Sequence, residues 1–76
     1  MKDFVTFIVR ALSEHPDDVV VTEVRGKQTT LLEVRCHPKD VGRIIGRSGK
    51  TIAALRTLVS NYGAQKGCRT VLEVAE

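Results

Sequence analysis

The sequence predicts an α+β fold: one three-stranded mixed sheet with three helices packed on one face, in the order α-β-β-α-α-β. Three observations lead there. Apolar residues recur at spacings of three and four near the start of the chain and again beyond Lys50, as in helices that bury one face. Between these regions, two strand-like runs are joined only by Gly26-Lys27, which makes them an antiparallel hairpin. A last strand-like run follows the second helical region and returns by a helical crossover. If it lies beside the second strand, it runs parallel to it and the sheet is mixed. At 76 residues the chain is expected to be one domain, 1–76, whose elements share a modest core.

Lys2 to Glu14 reads as the first helix, with Phe4, Val5, Phe7, Ile8, Ala11 and Leu12 on its apolar stripe. His15-Pro16-Asp17-Asp18 ends it, because proline disfavours helix in the residue before it. Val19 to Arg25 is the first strand, with Val19 and Val21 expected inward. Gln28 to His37 is the second. Thr30, Leu32, Val34 and Cys36 alternate on one face, with Leu31, Glu33 and Arg35 on the other. Pro38 suits the first position of a helix, and Val41, Ile44 and Ile45 give that helix one apolar face. Gly42 inside it costs about 1 kcal/mol relative to alanine, so a close approach by a neighbouring backbone or a ligand is expected there. Gly46 stands where a helix end takes a left-handed residue. Lys50 to about Ala64 is the third helix, with a stripe of Ile52, Leu55, Val59 and Tyr62 widened by Ala53, Ala54 and Leu58. Arg69 to Ala75 is the last strand, Leu72 and Val74 inward and Glu73 outward. Glu33, Arg35 and Glu73 then place the outer face of the sheet in water.

Hydrophobic residues make up 42% and charged residues 28%, which suits a soluble globular domain and is too apolar for a disordered chain. No apolar run approaches the roughly 20 residues of a membrane helix. Lys2, Asp3 and Arg10 interrupt the start of the chain, unlike a signal peptide, so a cytoplasmic location is expected and no membrane partner. Cys36 and Cys68 follow no metal-binding spacing, and with only His15 and His37 to join them no metal site is expected. No nucleophile, base and orienting group stand at recognisable spacings, so the chain does not read as an enzyme; neither a cofactor nor a small-molecule substrate is expected. The charge is uneven. Arg35 to Arg56 holds six bases against one acid, whereas the rest holds six bases against eight acids. A concentrated basic stretch is the footprint of a polyanion partner.

At the centre of that stretch lies Ile44-Ile45-Gly46-Arg47-Ser48-Gly49-Lys50-Thr51-Ile52, a tight loop between two helical patterns. The start of a helix offers unpaired N–H groups and partial positive charge to an anion. Gly46 and Gly49 have no Cβ to hold a phosphate backbone away. Arg47, Ser48 and Lys50 add charge and a hydroxyl, and Arg43 lies about one turn earlier. A Walker loop is excluded, because Gly46 stands only three residues before Gly49 and the loop follows a helix. A Rossmann fingerprint fails for the same reasons.

With the pattern (Ile/Val)-Ile-Gly-x-x-Gly-x-x-Ile between two helices, the sequence resembles the KH domain, a nucleic-acid-binding module. The element order is similar to its type II form, and the resemblance covers essentially the whole chain. The chain length and the run Asp40 to Gly46 are most similar to the small single-domain bacterial RNA-binding proteins of the KhpA family. The resemblance implies a loop that clamps the backbone of about four single-stranded nucleotides. The implied RNA-binding residues are Arg43, Ile45, Gly46, Arg47, Ser48, Gly49, Lys50 and Ile52, with Leu32 and Val34 as further candidates to line a shallow apolar groove for the bases. It implies single-stranded RNA as the partner and a role in post-transcriptional regulation or as an RNA chaperone. It also implies an adaptor reading, through a homodimer or a heterodimer with a Jag-type RNA-binding protein. That interface is expected on the third helix near Leu58, Asn61 and Tyr62.

Overall fold

The computed structural model of the chain describes residues 1–75. Helix α1 spans Lys2–Leu12, strand β1 Val20–Arg25, strand β2 Thr29–Arg35, helix α2 Val41–Ile45, helix α3 Lys50–Gln65 and strand β3 Arg69–Val74. Single 3₁₀ turns at Pro16–Asp18, Pro38–Asp40 and Arg47–Gly49 complete the order. The predicted α-β-β-α-α-β succession is present, in the arrangement of the type II KH fold. Pro38 opens a 3₁₀ turn, and the α-helix proper begins only at Val41.

The sheet is mixed, as expected, with strand order β1-β2-β3. β1 runs antiparallel to β2, with Val21 opposite Val34. β2 runs parallel to β3, with Leu32 opposite Leu72. Val21, Leu32, Val34 and Leu72 form the inner face and bury against Val5 and Val9 of α1, Ile44 of α2, and Ile52, Leu55 and Val59 of α3. Val19 and Val21 are both buried, although β1 itself starts at Val20.

Three expectations are corrected. On α1 the structure buries Val5 and Val9, while Phe4, Phe7 and Ala11 of the predicted stripe are exposed. Apolar residues occupy so much of this helix's circumference that periodicity alone cannot choose the buried third. On α3 the innermost residue of the last turn is Gly63, not Tyr62. The reason is close packing: a Cβ at Gly63 would stand 2.1 Å from Thr70 Oγ1 and 2.9 Å from the Cys68 carbonyl oxygen. The outer face of the sheet is not simply polar. Arg35 and Glu73 are exposed, but Val24, Leu31 and Val71 stand opposite one another across all three strands.

Candidate nucleic-acid interface

α2 ends at Gly46, whose N–H donates to the Gly42 carbonyl at 2.9 Å. The backbone there has φ 80° and ψ 170°. This is not the left-handed helical cap expected from the sequence; it is a region open only to glycine. A Cβ on Gly46 would also stand 2.8 Å from the backbone nitrogen of Thr51. The chain then makes one 3₁₀ turn, with Gly49 N–H donating to the Gly46 carbonyl at 3.0 Å. Ser48 (φ 56°) and Gly49 (φ 73°) both have positive φ, and Ser48 is the one non-glycine residue with positive φ among the described residues. α3 starts directly behind this turn, and no side chain caps its N-terminus. The loop therefore presents an uncapped helix start beside two exposed cations.

Arg47, Ser48 and Lys50 are exposed, and neither Arg47 nor Lys50 enters an ion pair among the described residues. Arg43 is placed differently. Its guanidinium pairs with Glu14 beyond the end of α1 and lies 4.0 Å from Asp40. Gly42 is exposed, and a Cβ there would meet nothing within 4 Å, so no neighbouring protein backbone accounts for this glycine. Ile45 is half-buried and Ile52 only 5% exposed. Leu32 and Val34 are fully buried on the central strand, beneath the helices, and cannot line a surface groove.

One cleft beside α3 runs along β3, an edge strand of the sheet. It has a volume of about 390 Å³ and is lined by Arg56, Ser60 and Arg69 to Glu73. Arg56 Nε donates to the Leu72 carbonyl oxygen at 3.1 Å, so this cation is fixed on the strand edge. The sequence reading counts Arg56 in the basic stretch without giving it a position in the site. Its place six residues after Lys50, about 9 Å along the helix axis, was the available signal.

Asp40 fixes α2 and hence the loop. It is 1% exposed and accepts the backbone N–H groups of His15 at 2.9 Å and Glu14 at 3.1 Å. Burial alone would raise the carboxyl pKa, but these two hydrogen bonds and the His15 ring outweigh it, so Asp40 lies below the ordinary carboxylate range. The His15 ring, 3.3 Å from Asp40 through Nδ1, stacks on His37 with 3.9 Å between centroids.

The family described as KhpA/KhpB, KH domain, matches residues 2–74. The RNA-binding protein KhpA of Chlamydia caviae is 37% identical over 76 residues, covering 100% of this chain and 97% of that protein. The RNA-binding protein KhpA of Aquifex aeolicus is 38% identical, covering 100% and 96%. The protein of the same name from Leifsonia xyli is 51% identical over 55 residues, 72% of each chain. No solved structure matches the chain significantly. The match runs through the glycine loop, both of its helices and all three strands, and the chain belongs to the KhpA/KhpB family of KH domains, which is not an enzyme family.

Proposed function

We propose that this chain is a cytoplasmic RNA-binding protein that holds the backbone of single-stranded RNA in the Gly46–Gly49 loop. One observation carries the reading: Arg47 and Lys50 stand exposed and, among the described residues, without an ion-pair partner, beside a helix start that no described side chain caps, where the backbone has no Cβ at two of four positions. Phosphate oxygens would meet the Ser48 hydroxyl and both cations beside the positive end of α3, whose first N–H, that of Lys50, already donates to the Arg47 carbonyl. The family relatives named as RNA-binding proteins support the choice of polyanion. Ile45 and the cleft along β3 with Arg56 would take the bases. Phosphate contacts then supply the affinity, and the bases add at most a mild preference.

The test is the Arg47→Asp, Ser48→Asp double variant, read by fluorescence anisotropy with a labelled single-stranded RNA. Aspartate tolerates the positive φ of position 48, so the fold and melting temperature should be kept while binding is lost. Unchanged affinity in the folded variant would sink the proposal.

A second feature supports pairing with another copy or with a related RNA-binding protein of the Jag type. Phe4, Leu58 and Tyr62 are each about half exposed and line an apolar groove of about 270 Å³ between α1 and α3. Asn61 of the expected interface is exposed on the same helix. This reading complements RNA binding, because one small domain offers few contacts and two would gain avidity.

A further inference from the structure

We propose that the stacked imidazole rings of His15 and His37, beside the start of α2, form a second RNA contact: a platform on which a nucleobase flanking the loop-held nucleotides stacks. This rests on the loop reading above and extends it to a neighbouring site. The two ring centroids are 3.9 Å apart, with planes 15° from parallel. Both rings are held in place. His15 Nδ1 lies 3.3 Å from the buried Asp40 carboxylate, and His37 Nδ1 accepts the Lys39 N–H at 3.1 Å. Yet the His15 side chain keeps 44% of its surface exposed. One of its faces lies on His37 and its Nδ1 edge on Asp40, so the open part is the other face and the Nε2 edge. An exposed aromatic face that is already ordered takes a base at little cost in side-chain freedom.

The platform lies on a path from the loop. Asp40 and Gly46 are six residues apart, about 9 Å along a helix, or about three nucleotides at a stacked spacing of ~3.4 Å. Gly42 shares a helix face with Ile45 and Gly46. It is exposed, and a Cβ there would meet nothing within 4 Å, so a strand can pass close to its backbone. Charge chooses a base over a phosphate at the platform. Arg10 pairs with Asp17 and Arg43 with Glu14, and Asp18 is a further exposed acid. A neutral flat ring stacks there without the repulsion an anion would meet.

The test uses the full chain and two lengths of RNA, read by fluorescence anisotropy. One RNA has about four nucleotides, which the loop alone holds. The other carries about three further adenosines at its 5′ or its 3′ end. One of the two extensions should bind wild type about tenfold tighter than the short RNA, and replacing its bases with abasic nucleotides should remove the gain. His15→Ala should lose the gain while keeping the affinity for the short RNA. His15→Phe restores a flat ring without the imidazole nitrogens and should keep the gain. In the NMR spectrum of the wild-type chain, the His15 ring protons should shift upfield with the extended RNA and not with the short one. Unmoved ring protons, or no gain on extension, would overturn the platform and leave the loop standing. A gain that survives abasic replacement or His15→Ala, or a His15→Phe variant as weak as His15→Ala, would do the same. A short RNA that fails to bind wild type would overturn both.

Discussion

Gly46 and Gly49 are interchangeable in the motif, yet the backbone asks different things of them. Gly49 needs only a positive φ of 73°, with open space where a Cβ would go. Gly46 needs φ 80° with ψ 170°, and its Cβ would collide with Thr51, including backbone. Gly46→Ala should therefore cost about 3 kcal/mol, against about 1 kcal/mol for Gly49→Ala, read from urea midpoints. Equal losses would show that the loop relaxes freely. The spacing of the loop was legible in the sequence because it is local. The partner of Arg43 was not, because Glu14 lies 29 residues away. That pair sets a competition between the Glu14 carboxylate and a phosphate. Glu14→Gln removes the nearer of the two carboxylates beside the guanidinium and should tighten RNA binding about threefold, steepening the log–log salt slope by roughly 0.7 for one added phosphate contact. Stability should fall by less than about 1 kcal/mol, as for other exposed ion pairs. An unchanged slope would remove Arg43 from the site.

At the scale of elements, the loop depends on how a five-residue helix is held. α2 is too short to stand by its own hydrogen bonds. Ile44 packs it on the core, and Asp40 ties its start to the backbone beyond α1. Asp40→Ala leaves two N–H groups without an acceptor and should cost about 2–4 kcal/mol by urea unfolding. The pH dependence has a definite sign. Because the folded pKa of Asp40 is depressed, its contribution is complete above the unfolded value of about 3.9 and is lost as pH falls through the folded value. Wild-type stability should thus fall more steeply below about pH 4 than that of Asp40→Ala. Parallel curves would show the carboxylate to be neutral in effect. Element types and order were readable because each depends on spacing within a few residues. Which third of α1 is buried, and why Gly63 replaces Tyr62 inside, depends on the surface against which each helix packs. Periodicity carries no such information.

Over the whole molecule, α3 separates two surfaces. Arg56 and Ser60 border the β3 cleft, while Leu58 and Tyr62 border the apolar groove beside α1. Leu58 lies about 200° around the helix from both Arg56 and Ser60, since each residue advances about 100°. A partner seated on the apolar groove would leave the phosphate-binding side open, and a pair of chains would carry two loops. Burying Leu58 and Tyr62 would also remove apolar surface that is unfavourable in water. The exposed apolar positions could be found from the sequence only as surplus: α1 and α3 hold more apolar residues than three strands can cover. Leu58→Glu places a charge in that groove without touching the loop. Light scattering should show the wild-type chain as a dimer and Leu58→Glu as a monomer. Anisotropy should then separate two kinds of RNA. An oligonucleotide long enough for one loop should bind the variant as it binds wild type, whereas one long enough for two should lose about a hundredfold through lost avidity. If the variant is monomeric and both RNAs bind it as before, each chain acts alone. If the short RNA also weakens, Leu58 supports the loop itself and the two faces of α3 are not independent.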